Sequence, residues 1–155
     1  MDRRSAMTAA GFVSVVVVYA ALARRWTDTD SPWYRSLSEP SWQPPDAVFG
    51  IIWPLNFLAL LAVGALVSLH RPVLARRMLV VLAVSVIFAL GWSYLFSEAR
   101  SLVGAAVSLV VAAALTWVLF GLAWRAGKGY AAGLAVYSAW MSLAASLSVG
   151  FVVLN

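Results

Sequence analysis

Apolar residues in this 155-residue chain gather into five long runs, roughly 6–23, 47–69, 74–96, 101–124 and 130–154, and nearly every charged residue falls between them. At about 1.5 Å of helical rise per residue each run can cross a ~30 Å hydrocarbon core, the first and shortest only marginally. None shows the strict alternation of a barrel strand, and lipid offers no partners to an open backbone, so the runs read as helices. The last three connections are short (His70 to Val73, Ser97 to Arg100, Arg125 to Gly129), so neighbouring spans run antiparallel and pack side by side. The pattern predicts an all-α membrane protein: one domain over residues 1–155, a five-transmembrane-helix bundle with a long Trp/Pro-rich loop between helices 1 and 2.

Composition sharpens this class. With 63% hydrophobic and 11% charged residues the chain is too apolar for a soluble domain. There is no cysteine, which excludes disulfides, thiolate metal sites and cysteine nucleophiles. His70 is the single histidine, cannot form a multi-histidine site, and sits at a span end where an interfacial role is expected. No metal site and no required cofactor are anticipated. The formal charge of +5 comes from basic residues at the ends of apolar runs, which suits lipid headgroups rather than nucleic acid. Seven of them (Arg3, Arg4, Arg71, Arg76, Arg77, Arg125, Lys128) share one side, while four (Arg24, Arg25, Arg35, Arg100) lie on the other with five of the six acids. The positive-inside bias then puts the N-terminus in the cytoplasm. Met1 to Ala23 has some signal-peptide character, but Arg24, Arg25 and Trp26 follow instead of a cleavage site, so it reads as a retained span.

The spans hold no Asp, Glu, Lys or Arg at depth. Such groups mark proton and ion pathways, so a pump, a proton-coupled carrier and paired-carboxylate catalysis are disfavoured. No phosphate loop or nucleophile elbow is present. Two stripes of small residues recur every fourth position: Ser138, Ser142, Ser146, Gly150 in the last span and Gly104, Ser108, Ala112, Thr116 in the fourth. They permit close helix approach, within the bundle or between subunits.

The stretch Ser31–Phe57 stands apart, with three of the eight tryptophans and five of the six prolines. Pro44 and Pro45 enforce an extended approach to the second span. Asp46 is placed to cap that span, and Pro54 to kink it. Phe49, Trp53, Asn56 and Phe57 fall at i, i+4, i+7 and i+8, on one helical face, which suits half of a pocket for a flat ligand. Against that stands the interfacial belt, which by itself explains Trp26, Trp33, Trp117 and Trp124. Trp53, Trp92 and Trp140 lie deeper, where their indole N–H groups need partners.

The run WYRSLSEPSWQPPDAVFGIIW from Trp33 to Trp53 resembles the TspO/translocator protein family, the tryptophan-rich sensory proteins also called peripheral-type benzodiazepine receptors. Trp33, Tyr34, Leu37, Pro40, Trp42, Pro44, Pro45 and Trp53 match that family's first-loop pattern in order and spacing. WSYLFSEAR at Trp92–Arg100 is similar to its third-helix end, and AVYSAWMSLAASLS at Ala135–Ser148 to its fifth-helix segment. The chain departs from the family where an asparagine becomes Ala89, a phenylalanine Ser97, a proline Val136 and a second asparagine Ser148. Phe57, preceded by Asn56, stands where the family has tyrosine, and no Lys or Arg follows Tyr137 to complete a cholesterol-recognition pattern.

The resemblance implies a receptor or sensor in a bacterial cell membrane, commonly a homodimer, binding porphyrin, haem or a similar flat hydrophobic molecule beneath the first loop. Together with the helical face of the second span, it implies ligand-binding positions at Trp33, Tyr34, Trp42, Phe49, Trp53, Asn56, Phe57, Trp92, Phe96, Tyr137, Trp140 and Ala144. It also implies an alternative, light-dependent porphyrin degradation with Trp53 and Trp140 in the catalytic role. Facilitated transport of an apolar metabolite is a third reading.

Overall fold

The computed structural model describes residues 3–26 and 30–155, and among them there are six helices and no strand. They are α1 (Arg3–Trp26), α2 (Pro32–Arg35), α3 (Asp46–His70), α4 (Pro72–Ser97), α5 (Leu102–Ala126) and α6 (Lys128–Leu154). Five are long and apolar enough to cross a bilayer. The sixth, α2, is a single turn inside the Trp/Pro-rich stretch, so that connection is partly helical. Ser31 starts it, accepting from the Tyr34 amide at 3.2 Å, and Pro32 occupies the first turn, where its missing N–H costs nothing.

The first span is longer than its apolar run. α1 covers 24 residues because the helix continues through Arg3, Arg4, Arg24 and Arg25, which are good helix formers and leave the backbone ladder intact. Phe12, Val16 and Tyr19 on α1 are buried in the main core. Asp2 and Asp28, two of the six acids in the charge asymmetry, lie outside the described residues.

The long helices close a ring. α1 touches α3 and α4, α3 touches α6, and α4, α5 and α6 pack in sequence, with the most extensive contacts in the α4–α5 and α5–α6 pairs. The α1–α3 seam depends on Gly64, where an added Cβ would stand 2.5 Å from the Phe12 ring. Hydroxyls join the helices through backbone carbonyls. Ser85 donates to Ala112 O (3.0 Å), Ser108 to Phe88 O (2.7 Å) and Ser138 to Thr116 O (3.1 Å). In lipid such bonds hold helices together at close range.

Both small-residue stripes are therefore used inside the chain. On α6, Ser138 meets α5, Ser142 accepts the Trp117 indole N–H (2.9 Å), Ser146 accepts that of Trp42 (3.2 Å), and Gly150 receives Pro40 and Trp42. On α5, Ser108 and Thr116 carry the bonds to α4 and from α6.

One buried polar group gains nothing from this packing. Asn56 is 1% exposed and its amide nitrogen has no hydrogen-bond partner. Because an unmet buried donor costs about 1–3 kcal/mol, Asn56→Leu is expected to raise stability by about 1 kcal/mol. A higher midpoint in detergent melting would show it; a lower one would mean that the amide is satisfied.

Candidate functional site

A cavity of about 700 Å³ opens inside the ring beneath residues 30–45, and all six helices contribute to its wall. This lies within the size range of small-molecule sites. Its deep part is apolar and aromatic. Tyr19, Trp53 and Phe57 form one cluster, with ring centroids 5.7 Å (Tyr19–Trp53), 5.5 Å (Tyr19–Phe57) and 5.6 Å (Trp53–Phe57) apart. Phe49 meets Trp140 edge to face at 5.1 Å, and Trp92 stacks on Phe96 at 5.5 Å. Leu109 and Met141 lie among the remaining apolar lining, and Pro54 is also in the wall, within an α3 that runs unbroken through it.

The mouth is polar. Arg24 from the end of α1, Asp30, Tyr34, Gln43 and Asp46 all line it. Asp46 is not the cap of its helix. Pro45 takes that position without a side-chain bond, since the chain already turns there, with Val48 N donating to Pro45 O at 2.9 Å. Asp46 sits instead in the first turn, where a negative charge suits the helix dipole. Gln43 Nε2 donates to the Tyr34 hydroxyl at 3.1 Å. Burial pushes the Tyr34 phenol above its ordinary pKa; the bond from Gln43 opposes this, and the carboxylates Glu39 and Asp46 add to it. Tyr34 thus stays protonated at neutral pH, with an O–H still able to donate.

The segment above the cavity is anchored at three places. Trp33 and Tyr34 rest on Phe96 (5.2 and 6.2 Å), and Tyr34 also on Phe151 (6.1 Å). Trp42 reaches Ser146, and its ring lies over Gly150. The side chain of Asn155 brackets the Ser38 backbone, accepting from its N–H at 2.9 Å and donating to its carbonyl at 3.2 Å. Trp33 is therefore not a lipid-facing belt residue. It is held between Phe96 and the Arg100 guanidinium, 5.9 Å from its ring centre. Arg100 reaches over it from a left-handed backbone (φ 51°) at the end of α4, where Ser101 N returns to Leu95 O at 2.8 Å.

Of the twelve implied ligand positions, eight line the cavity: Tyr34, Phe49, Trp53, Phe57, Trp92, Phe96, Trp140 and Ala144. Trp33 and Trp42 belong to the covering segment rather than the wall. Asn56 and Tyr137 are buried in the surrounding packing. Asn56 lies about 60° around the helix from Trp53, on the side away from Pro54, and is outside the lining. Tyr137 is fully buried; its hydroxyl lies near those of Tyr19 and Ser85 but meets neither in hydrogen-bonding geometry.

Sequence reasoning did not single out Tyr19, Arg24, Gln43 or Phe151, all of which line the cavity. Tyr19 carried a signal: it is the one tyrosine in an aliphatic run, VVVVYAAL. Ala89, Ser97 and Ser148, the positions that depart from the family pattern, also line the cavity, whereas Val136 is 55% exposed on the bundle's outer face. Three indole N–H groups end on α6 serines, Trp92 on Ser148 at 3.0 Å among them. The Trp140 indole N–H is buried and without a partner. His70 is not in the cavity lining. Its ring nitrogen pairs with the Tyr130 hydroxyl at 3.1 Å.

Comparison with known proteins agrees with this architecture. The profile of the TspO/MBR family matches residues 12–154. The Tryptophan-rich protein TspO of Bacillus cereus is 27% identical over 119 residues, covering 77% of this chain and 78% of that protein. With a match across nearly its whole length, this chain belongs to the TspO/MBR family, and it is an integral membrane protein.

Proposed function

We propose that the protein is a membrane receptor that holds a tetrapyrrole, or a similarly flat hydrophobic molecule, in the cavity beneath residues 30–45. Family membership supports a sensor or receptor role in general terms. The observation that carries the finer reading is the wall itself: about 700 Å³ faced by Tyr19, Phe49, Trp53, Phe57, Trp92 and Trp140. Aromatic walls favour a planar π-system. At the mouth, Arg24 suits an acidic substituent.

Protoporphyrin is the natural probe. It is expected to quench tryptophan fluorescence saturably, and both Trp53→Phe and Trp140→Phe are expected to weaken binding about tenfold, the value of one hydrogen bond or ring contact of roughly 1.5 kcal/mol. Unchanged titrations in both variants would remove the cavity from consideration.

A second reading is light-dependent porphyrin breakdown. It is favoured by the presence of both Trp53 and Trp140 in one wall, where an indole can reduce a photoexcited ring. Bleaching under light and oxygen faster than that of free porphyrin in detergent, and lost in those two variants, separates it from binding alone. The charge distribution supports a cytoplasmic N-terminus in a bacterial membrane: the end bearing the start of α1 has seven basic residues and, among the described residues, no acid.

A further inference from the structure

A second recess, of about 250 Å³, lies between the starts of α1 and α4 and is lined by Arg4, Met7, Thr8, Arg76 and Leu79. We propose that it binds the headgroup of an anionic membrane phospholipid, with the phosphate between Arg4 and Arg76 and an acyl chain against Met7 and Leu79.

Three observations carry this. First, two arginines from separate helices line one recess, and the single ion pair among the described residues, Arg35 with Asp30, lies at the opposite end of the bundle. Like charges gathered this way repel, and an anion between them relieves that repulsion. Guanidinium is suited to the task, being permanently charged and able to grip phosphate with two parallel N–H groups. Second, the rest of the recess is apolar. Met7 is 65% exposed, Leu79 is half-buried, and the Thr8 hydroxyl is turned back to the Arg4 carbonyl at 3.0 Å. A charged rim over an apolar floor matches an amphiphile, whereas free phosphate would have no use for the floor. Third, the other basic residues of this end, Arg3, Arg71, Arg77, Arg125 and Lys128, line neither this recess nor the main cavity. Topological charge bias accounts for those five; it does not require two arginines in one amphiphilic groove.

Phospholipid must lie at this depth in any bilayer, because Arg4 and Arg76 stand within the first two turns of spanning helices. The site would tie α1 to α4 through a lipid, on the side of the bundle away from the covering segment.

The test uses delipidated full-length protein in neutral detergent, titrated with short-chain phosphatidylglycerol, phosphatidylcholine or inorganic phosphate and followed by native mass spectrometry. One phosphatidylglycerol is expected to be retained, with phosphatidylcholine weaker and inorganic phosphate not competing at equal concentration. Arg4→Gln with Arg76→Gln is expected to weaken retention by about tenfold or more, from the value of surface charges toward anionic lipid. Arg71→Gln with Arg125→Gln, which removes the same charge from the same end, is expected to change it less than about twofold. Equal losses in the two double variants would overturn the site in favour of diffuse attraction. Inorganic phosphate competing as well as the lipid would overturn it in favour of a soluble anion. Should the first double variant fail to fold, Arg76→Gln alone makes the same comparison with a smaller loss.

Discussion

Gly64→Ala is expected to destabilise the protein by about 2 kcal/mol or more, near the upper part of the range for overpacked cores. The added methyl would stand 2.5 Å from Cγ and 2.6 Å from Cδ1 of Phe12, both closer than carbon atoms can approach, and a tight 3.0 Å from its Cβ. Phe12 is 2% exposed, so its ring has no free space to swing into. The whole α1–α3 seam must therefore separate, although alanine is the better helix former by about 1 kcal/mol. Thermal unfolding in detergent measures the loss. Adding Phe12→Leu should recover part of it, giving a coupling of about 1 kcal/mol between the two sites. Gly121→Ala is the control, since nothing lies within 4 Å of its added Cβ, and it is expected to be neutral or slightly stabilising. A melting point for Gly64→Ala equal to that of the control would mean the seam is not tight.

The second large effect concerns the segment over the cavity. Gly150→Val is expected to free residues 30–45 from the bundle while leaving the cavity wall intact. The first atom of the new side chain would stand 2.8 Å from Pro40 and 2.9 Å from the Trp42 ring, and Gly150 itself is not in the cavity lining. Displacing that ring also breaks its bond to Ser146. Arg35, exposed at the end of α2, then becomes a reporter: trypsin should cut there at least tenfold faster than in the wild type, because cleavage follows the population of the open form. If the segment is a lid, a bound porphyrin should leave faster by a similar factor. Wild-type cleavage kinetics would show that Trp42 is not what holds the segment down.

Legibility in the sequence follows the range of the interaction involved. The five spans were readable because lipid imposes a local rule, a long run without charge, and their ends moved by only a few residues where helix continued into arginine. Phe49, Trp53 and Phe57 were readable as a face because helical spacing alone aligns them. Their neighbour Asn56 shared that pattern yet lies off the wall, because only the neighbouring helices decide where the boundary between wall and packing falls. Asp46 showed the same limit at shorter range: being next to a helix start did not make it the cap once Pro45 had already begun the turn.

The stripe Ser138, Ser142, Ser146 and Gly150 announced a close approach without saying to what. The fold answers with Thr116, Trp117, Trp42 and Pro40, residues 22 to 110 positions away in the chain. What the sequence determined by itself was the membrane class, the number of spans, the family and the aromatic stock from which a wall could be built. What only the tertiary structure decided was which of those rings face one another across a cavity, which indole N–H remains unpaired, and where two arginines share a recess. The reason is physical: hydrophobicity and helical periodicity act within a segment, but a cavity is the space left after five helices have packed, and no single segment contains it.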